Sequence, residues 1–234
     1  MKQILFFIEN TSSPYLKSII YLYISVFLCN IILCATGLIK DINSVMFILF
    51  YLGFPLLLII HYKRYKVFIK NGGLTRIRLL PIKKSSFLLS ELLFQLITYL
   101  GLFMINIVSW CVIYLLISSQ LPFLHNSFIY FIMMNPMLYT YMPINFINIF
   151  FIIVLLISVT CVSTIFLISM ETNKQGQTIM MYLFAFFILA IIQLHTSSWE
   201  IQNQSNLFLL IALIAIMPLN IHQLRSYFIW STRR

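Results

Sequence analysis

Few residues in this chain could do chemistry, and their spacing excludes most of the chemistry they would support. The four histidines stand at 61, 125, 195 and 222, and the chain has only five acids. No HExxH metal-ligand spacing, no GxSxG nucleophile turn and no pair of intramembrane Asp occurs, so metal-dependent hydrolysis, acyl transfer and intramembrane proteolysis lack their groups. His125 and His195 could meet on one face of the molecule and hold a metal ion. Two ligands from separate loops read more simply as interfacial polar side chains. Cys29, Cys34, Cys111 and Cys161 all fall inside long apolar runs and are expected to pack rather than to bond metal or each other. A nucleotide-binding GxxxxGK[ST] loop is absent, because Gly72-Gly73 is not followed by the required Lys and Ser or Thr. The residues therefore predict no catalytic, cofactor-binding or metal-binding site. The chain is expected not to be an enzyme by itself.

The elements that would carry these residues belong to a bilayer. Of 234 residues, 62% are hydrophobic and 9% charged, with a mean hydropathy of +1.00. A water-soluble globule could not cover so much apolar surface with so few charges. A hydrocarbon core of about 30 Å takes about 20 apolar residues of helix to cross. Six apolar runs approach that length, free of charge but for Glu91 near the start of the third: Ile19–Ile39, Ser44–Ile60, Phe87–Ile117, Ile147–Ser169, Ile179–Leu194 and Leu207–Leu224. Backbone groups in lipid must bond within their own segment, so runs this long are helices.

The expected fold is an all-α membrane protein of six transmembrane helices forming a single domain over 1–234. Residues 1–14 contain an apolar stretch too short for a signal peptide and are expected to lie on the membrane surface as an interfacial helix. The loop 118–145 carries no charge and is expected on the outer face, with Phe128–Tyr141 interfacial or re-entrant because Pro136 interrupts it and Pro143 follows it.

Fourteen of the fifteen basic residues fall on one side of such a six-span chain, leaving Lys40 alone on the other. By the positive-inside rule both termini are cytoplasmic. The middle of every span is empty of Asp, Glu, His, Lys and Arg, which argues against a secondary transporter or a proton pump, since those bind or relay charge within their helices.

The most informative stretch is the cytoplasmic loop 61–86 between the second and third spans. Lys63, Arg64, Lys66 and Lys70 are expected to snorkel to lipid headgroups. Gly72-Gly73 then breaks the extension of the second span. Leu74 to Leu80 can form a short amphipathic helix that Pro81 closes, and Ser85 or Ser86 is a candidate cap for the next span. A compact helix of this kind, lying across the cytoplasmic surface, suits docking into a groove of a soluble partner.

Gly72-Gly73, then Arg76-Ile77-Arg78-Leu79-Leu80-Pro81-Ile82-Lys83-Lys84-Ser85-Ser86-Phe87 and the helix start Leu88 to Leu93, resembles the segment before the third span of type-2 ABC exporter permeases. The likeness covers about twenty residues of the chain. It implies six spans, an N-terminal interfacial helix, and a coupling helix seated on a cytoplasmic ABC ATPase that holds ATP and Mg. On this resemblance Gly72, Gly73, Leu74, Arg76, Ile77, Arg78, Leu79, Leu80, Pro81, Ile82, Lys83 and Lys84 would contact the ATPase.

The same resemblance implies a second permease copy or a homologous permease as partner, no nucleic acid, and a bacterial plasma-membrane location. The cargo it implies is hydrophobic or amphipathic, such as a peptide, lipid or drug, with antimicrobial peptides favoured. Two departures stand out: Glu91 occupies a position where the family often has Lys, and the longer outer loop here precedes the fourth span. Beside this reading stand a non-transport scaffold or sensor subunit, whose basic loop would bind lipid or a signalling partner, and a haem- or cofactor-handling permease using His125 and His195.

Overall fold

The computed structural model describes residues 2–35, 42–71, 84–117, 127–134, 139, 142, 144 and 146–169. All regular structure among them is helical: α1 (Lys2–Ala35), α2 (Ile42–Lys70), α3 (Lys84–Ile117), α4 (Phe128–Met134) and α5 (Phe146–Ser169). Two helical stretches, Pro14–Leu33 and Ser86–Leu116, are long and apolar enough to cross a membrane. The expected fifth and sixth spans, the segment 72–83, His125 and His195 lie outside the described residues.

Helix boundaries differ from the expected ones around the first and second spans. The first helix runs unbroken from Lys2 through Pro14 to Ala35, so the N-terminal segment is its first turns rather than a separate element. Proline costs an intrahelical hydrogen bond, yet Pro14 does not interrupt the helix. Likewise α2 does not stop near Ile60 but carries the basic stretch on to Lys70, where the Asn71 amide closes the last turn onto Val67 O at 3.0 Å. The third helix already includes Ser85 and Ser86, so neither serves as its cap.

Helices α2 and α3 run antiparallel, as successive contacts along them require. Gly53 meets Leu102, His61 meets Thr98 and Phe94, Arg64 meets Glu91, and Phe68 stacks on Phe87 with ring centroids 5.8 Å apart. On one side of this pair lies α1, parallel to α3, with Tyr23 against Thr98 and Gly101 and Asn30 against Asn106. Glycine matters here because a Cβ on Gly101 would come within 2.6 Å of the Tyr23 hydroxyl. Small residues at such crossings let apolar helices approach closely.

Short helix α4 packs Phe128 and Phe131 on Tyr114 near the end of α3. The Asn148 amide then donates to Tyr139 O at 2.6 Å and to Met142 O at 3.3 Å, tying the residues after α4 to the start of α5. From there α5 runs back along α3 until Ser163 reaches Gln95.

Among the described residues, α3 carries apolar side chains on its exposed face and polar ones inside. Along α3 the exposed positions include Leu89, Leu93, Ile97, Leu100, Met104 and Val108, while Ser90, Glu91, Gln95, Thr98, Asn106 and Ser109 are buried. Glu91, Gln95, Thr98, Asn106 and Ser109 fall within about 80° of one another around the helix, forming one stripe.

Candidate functional site

The buried polar stripe of α3 gathers partners from three other helices near the end of the bundle that carries residues 70 and 84. Arg64 of α2 is 3% exposed and ion-paired with Glu91 of α3, itself 4% exposed. The guanidinium also lies over the Phe94 ring, 4.6 Å from its centroid. One turn further along α3, the Gln95 amide donates to Glu91 Oε1 at 3.0 Å. Its carbonyl oxygen accepts a hydrogen bond from the Ser163 hydroxyl of α5. The orientation of the Gln95 amide is thereby defined at both ends. A continuous polar chain runs from α2 through α3 to α5.

A second chain crosses the first at Thr98. The Thr98 hydroxyl has one proton and donates it to Gln95 O at 2.8 Å. His61 Nε2, 2.9 Å from the same oxygen, must therefore be the donor, so Nε2 carries a proton. Its other nitrogen, Nδ1, is buried without a hydrogen-bond partner, with the ring held edge-on to Phe94 and tilted against Tyr99. From α1 the Tyr23 phenol donates to the Thr98 carbonyl at 2.5 Å. All four long helices thus converge on the stretch of α3 between Glu91 and Thr98.

Charge burial explains why so many polar groups gather around the Arg64–Glu91 pair. An ion pair withdrawn from solvent is tolerated only when geometry and extra hydrogen bonds offset the lost hydration. Gln95 supplies one such bond and the Phe94 face a further attraction for the cation. Two hydroxyls that reach no other helix return to their own backbone, Thr160 to Leu156 O and Thr164 to Thr160 O.

Two sequence expectations change in light of this geometry. Arg64 does not reach lipid headgroups: its side chain turns inward to Glu91, whereas Lys63, Lys66 and Lys70 are exposed. The helix places position 64 on the face that meets α3, about 100° of rotation from Lys63. Nor do His61 and Glu91 face outward at their span ends: with Arg64 they are buried between helices, while the middle of the described spans still holds no Asp, Glu, His, Lys or Arg.

Of the twelve residues expected to contact an ATPase, Gly72 to Lys83 lie outside the described residues and Lys84 opens α3. Gln95, Thr98, Ser163 and Tyr23 were not singled out from sequence. A signal for the first two existed: Glu91, Gln95, Thr98 and Asn106 recur at helical spacing within an otherwise apolar run. Nothing in the local sequence marks Tyr23 or Ser163, whose roles depend on which helix lies opposite. Among the described residues no cluster of three or more His, Cys, Asp or Glu could hold a metal ion. Comparison with family models, with curated proteins and with solved structures finds no match to this chain.

Proposed function

We propose that the chain is the multi-pass permease subunit of an ATP-driven exporter in a bacterial plasma membrane, moving a hydrophobic or amphipathic cargo. A separate cytoplasmic ATPase would engage the segment between α2 and α3, and a second permease would complete the pathway. The observation that carries this reading is the buried chain Arg64–Glu91–Gln95–Ser163, which joins α2, α3 and α5 close to the ends that the segment connects. A push delivered there would move braced helices together rather than bend one of them. The resemblance of residues 72–93 to exporter permeases supplies the kind of partner, and the apolar outer faces of α2 and α3 suit a lipid surround.

The test is purification of the full chain with its native partners in mild detergent, followed by assay of ATP hydrolysis and cargo export. A co-purifying nucleotide-binding subunit is expected. Leu80→Asp and Pro81→Asp should leave membrane insertion intact while lowering cargo moved per ATP hydrolysed. Absence of an ATPase, or labelling of residues 72–83 from the external side, would overturn the proposal.

A second reading, an ion-coupled carrier, is favoured by one observation: His61, Arg64 and Glu91 are buried together. Buried ionisable groups in membrane helices commonly mark ion or proton pathways. On this reading the chain alone, in liposomes, would move solute down an imposed proton gradient, and Glu91→Gln would abolish that movement. Gradient-independent behaviour of the isolated chain would dispose of it.

A further inference from the structure

We propose that Glu91, Gln95 and Ser163 form a reversible hydrogen-bond relay: when Glu91 loses its charge the Gln95 amide turns over, and α5 stays joined to α3 through a chain that runs the opposite way and ends on the Thr160 carbonyl. The relay goes beyond both readings above and requires neither.

An ionised carboxylate only accepts hydrogen bonds. Glu91, paired with Arg64, therefore faces the amide protons of Gln95, and the Gln95 carbonyl is left facing the Ser163 hydroxyl. That carbonyl accepts the one proton Ser163 has to give. The Ser163 oxygen also lies 3.0 Å from a second acceptor, Thr160 O of its own helix. This spare acceptor is what a reversed chain requires.

Separation of Arg64 from Glu91 would leave a buried carboxylate without a partner charge, and such a group takes up one proton from water rather than remain ionised. The new O–H of Glu91 then donates to the Gln95 carbonyl after a half-turn of the amide about its terminal torsion, a soft two-fold rotation. The amide protons come to face the Ser163 oxygen, and the Ser163 proton turns to Thr160 O. Only side chains rotate, and each member of the chain keeps a partner. Tyr99, which also hydrogen-bonds Ser163, can donate to that oxygen in either arrangement.

The two directions are not equal. The reversed chain ends on a carbonyl that already takes the Thr164 hydroxyl at 2.8 Å, whereas the forward chain ends on a charge, which makes the stronger hydrogen bond. Among the described residues the charge in contact with Glu91 is Arg64. His61 of α2 is engaged by the Thr98 hydroxyl, Tyr23 of α1 by the Thr98 carbonyl, and α5 carries no Asp, Glu, His, Lys or Arg. Arg64 thus ties α2 to α3 in one charge state only, while Gln95 ties α5 to α3 in both.

The full chain in mixed micelles, deuterated except at Gln side-chain amides and at Glu, Lys and Ser, shows by nuclear Overhauser contacts which neighbour the Gln95 amide protons face. Gln95→Met identifies their signal by its loss. In the unaltered chain at neutral pH the contact should be to Glu91. Exchanging the pair, Arg64→Glu with Glu91→Lys, puts a donor at position 91, and the contact should move to Ser163. Arg64→Met in mild acid should move it the same way without placing a new charge. A two-residue cycle over Gln95→Met and Ser163→Ala should return a coupling of about threefold in unfolding constant in the unaltered and the exchanged chain alike.

Amide protons that stay against position 91 in either variant would overturn the proposal, as would a coupling that vanishes in the exchanged chain. Such a result leaves the exporter and carrier readings standing, because neither needs the chain to reverse. Loss of those readings, by a missing ATPase and by gradient-independent behaviour, would leave the relay standing in turn.

Discussion

The two ends of the described bundle are held by different physics. Near residues 61–70 and 84–98, helices meet through an ion pair, an oriented amide and shared hydroxyls. Toward Ile117 and Phe128 they meet through rings: Tyr114 packs on Phe128 and Phe131 at centroid distances of 5.3 and 5.5 Å. Ring packing tolerates small shifts because dispersion is non-directional. Hydrogen-bonded charge does not, since a displaced partner leaves a desolvated group unmet. The polar end is therefore the part expected to move as a unit, and the aromatic end the part able to adjust.

Substitutions at the two ends should separate these behaviours. The largest effect is expected from Glu91→Gln, nearly isosteric, which leaves the buried Arg64 charge uncompensated and should cost about 3–5 kcal/mol. Equilibrium unfolding in mixed micelles would measure it. Replacing the pair together, as Arg64→Met with Glu91→Leu, should recover most of that loss. A double variant no better than the single one would mean that the pair does not act as a compensated unit.

Next in size is Gly101→Ala at the α1–α3 crossing. Its Cβ would meet the Tyr23 hydroxyl, which cannot retreat without giving up its bond to Thr98 O. A cost of about 1–3 kcal/mol is expected, relieved in part by adding Tyr23→Phe, because the nearest obstructing atom is then gone. The same unfolding assay, run as a two-residue cycle, should return a coupling between the two positions.

At the aromatic end, Phe131→Leu keeps most of the apolar volume and should cost less than about 1.5 kcal/mol. If it proves as damaging as Glu91→Gln, the contrast between the ends is wrong. The smallest effect belongs to the coupling between Asn30 and Asn106, midway between them. Asn30 Nδ2 donates to Asn106 Oδ1 at 3.2 Å. A two-residue cycle over Asn30→Ala and Asn106→Ala should return about 0.6 kcal/mol, the average for interhelical pairs of this kind in membrane proteins.

Glu91 illustrates how much of the site could be read in advance. Its position on a helix opening near Lys84, and the recurrence of polar residues behind it, follow from local spacing. That Arg64 would answer it could not be read from the chain, because Lys63, Arg64 and Lys66 are equivalent as charges. Only the rotation of α2 against α3 distinguishes the residue that turns inward from those that remain outside. His61 is a similar case. Its place at a span end suggested an interfacial side chain, yet Phe94, Tyr99 and Thr98 enclose it.

Composition and the length of the apolar runs determined that the described part of the chain is helical, because an apolar segment must satisfy its backbone hydrogen bonds within itself. The break after α2 was legible too, since Asn71-Gly72-Gly73 follows directly on the last helical turn. What tertiary structure alone decided was the pairing across helices: which cation is buried, which amide is oriented, and which lysines are left facing outward. Periodicity reports the faces a helix has, whereas the neighbour that covers each face depends on contacts far apart in the chain.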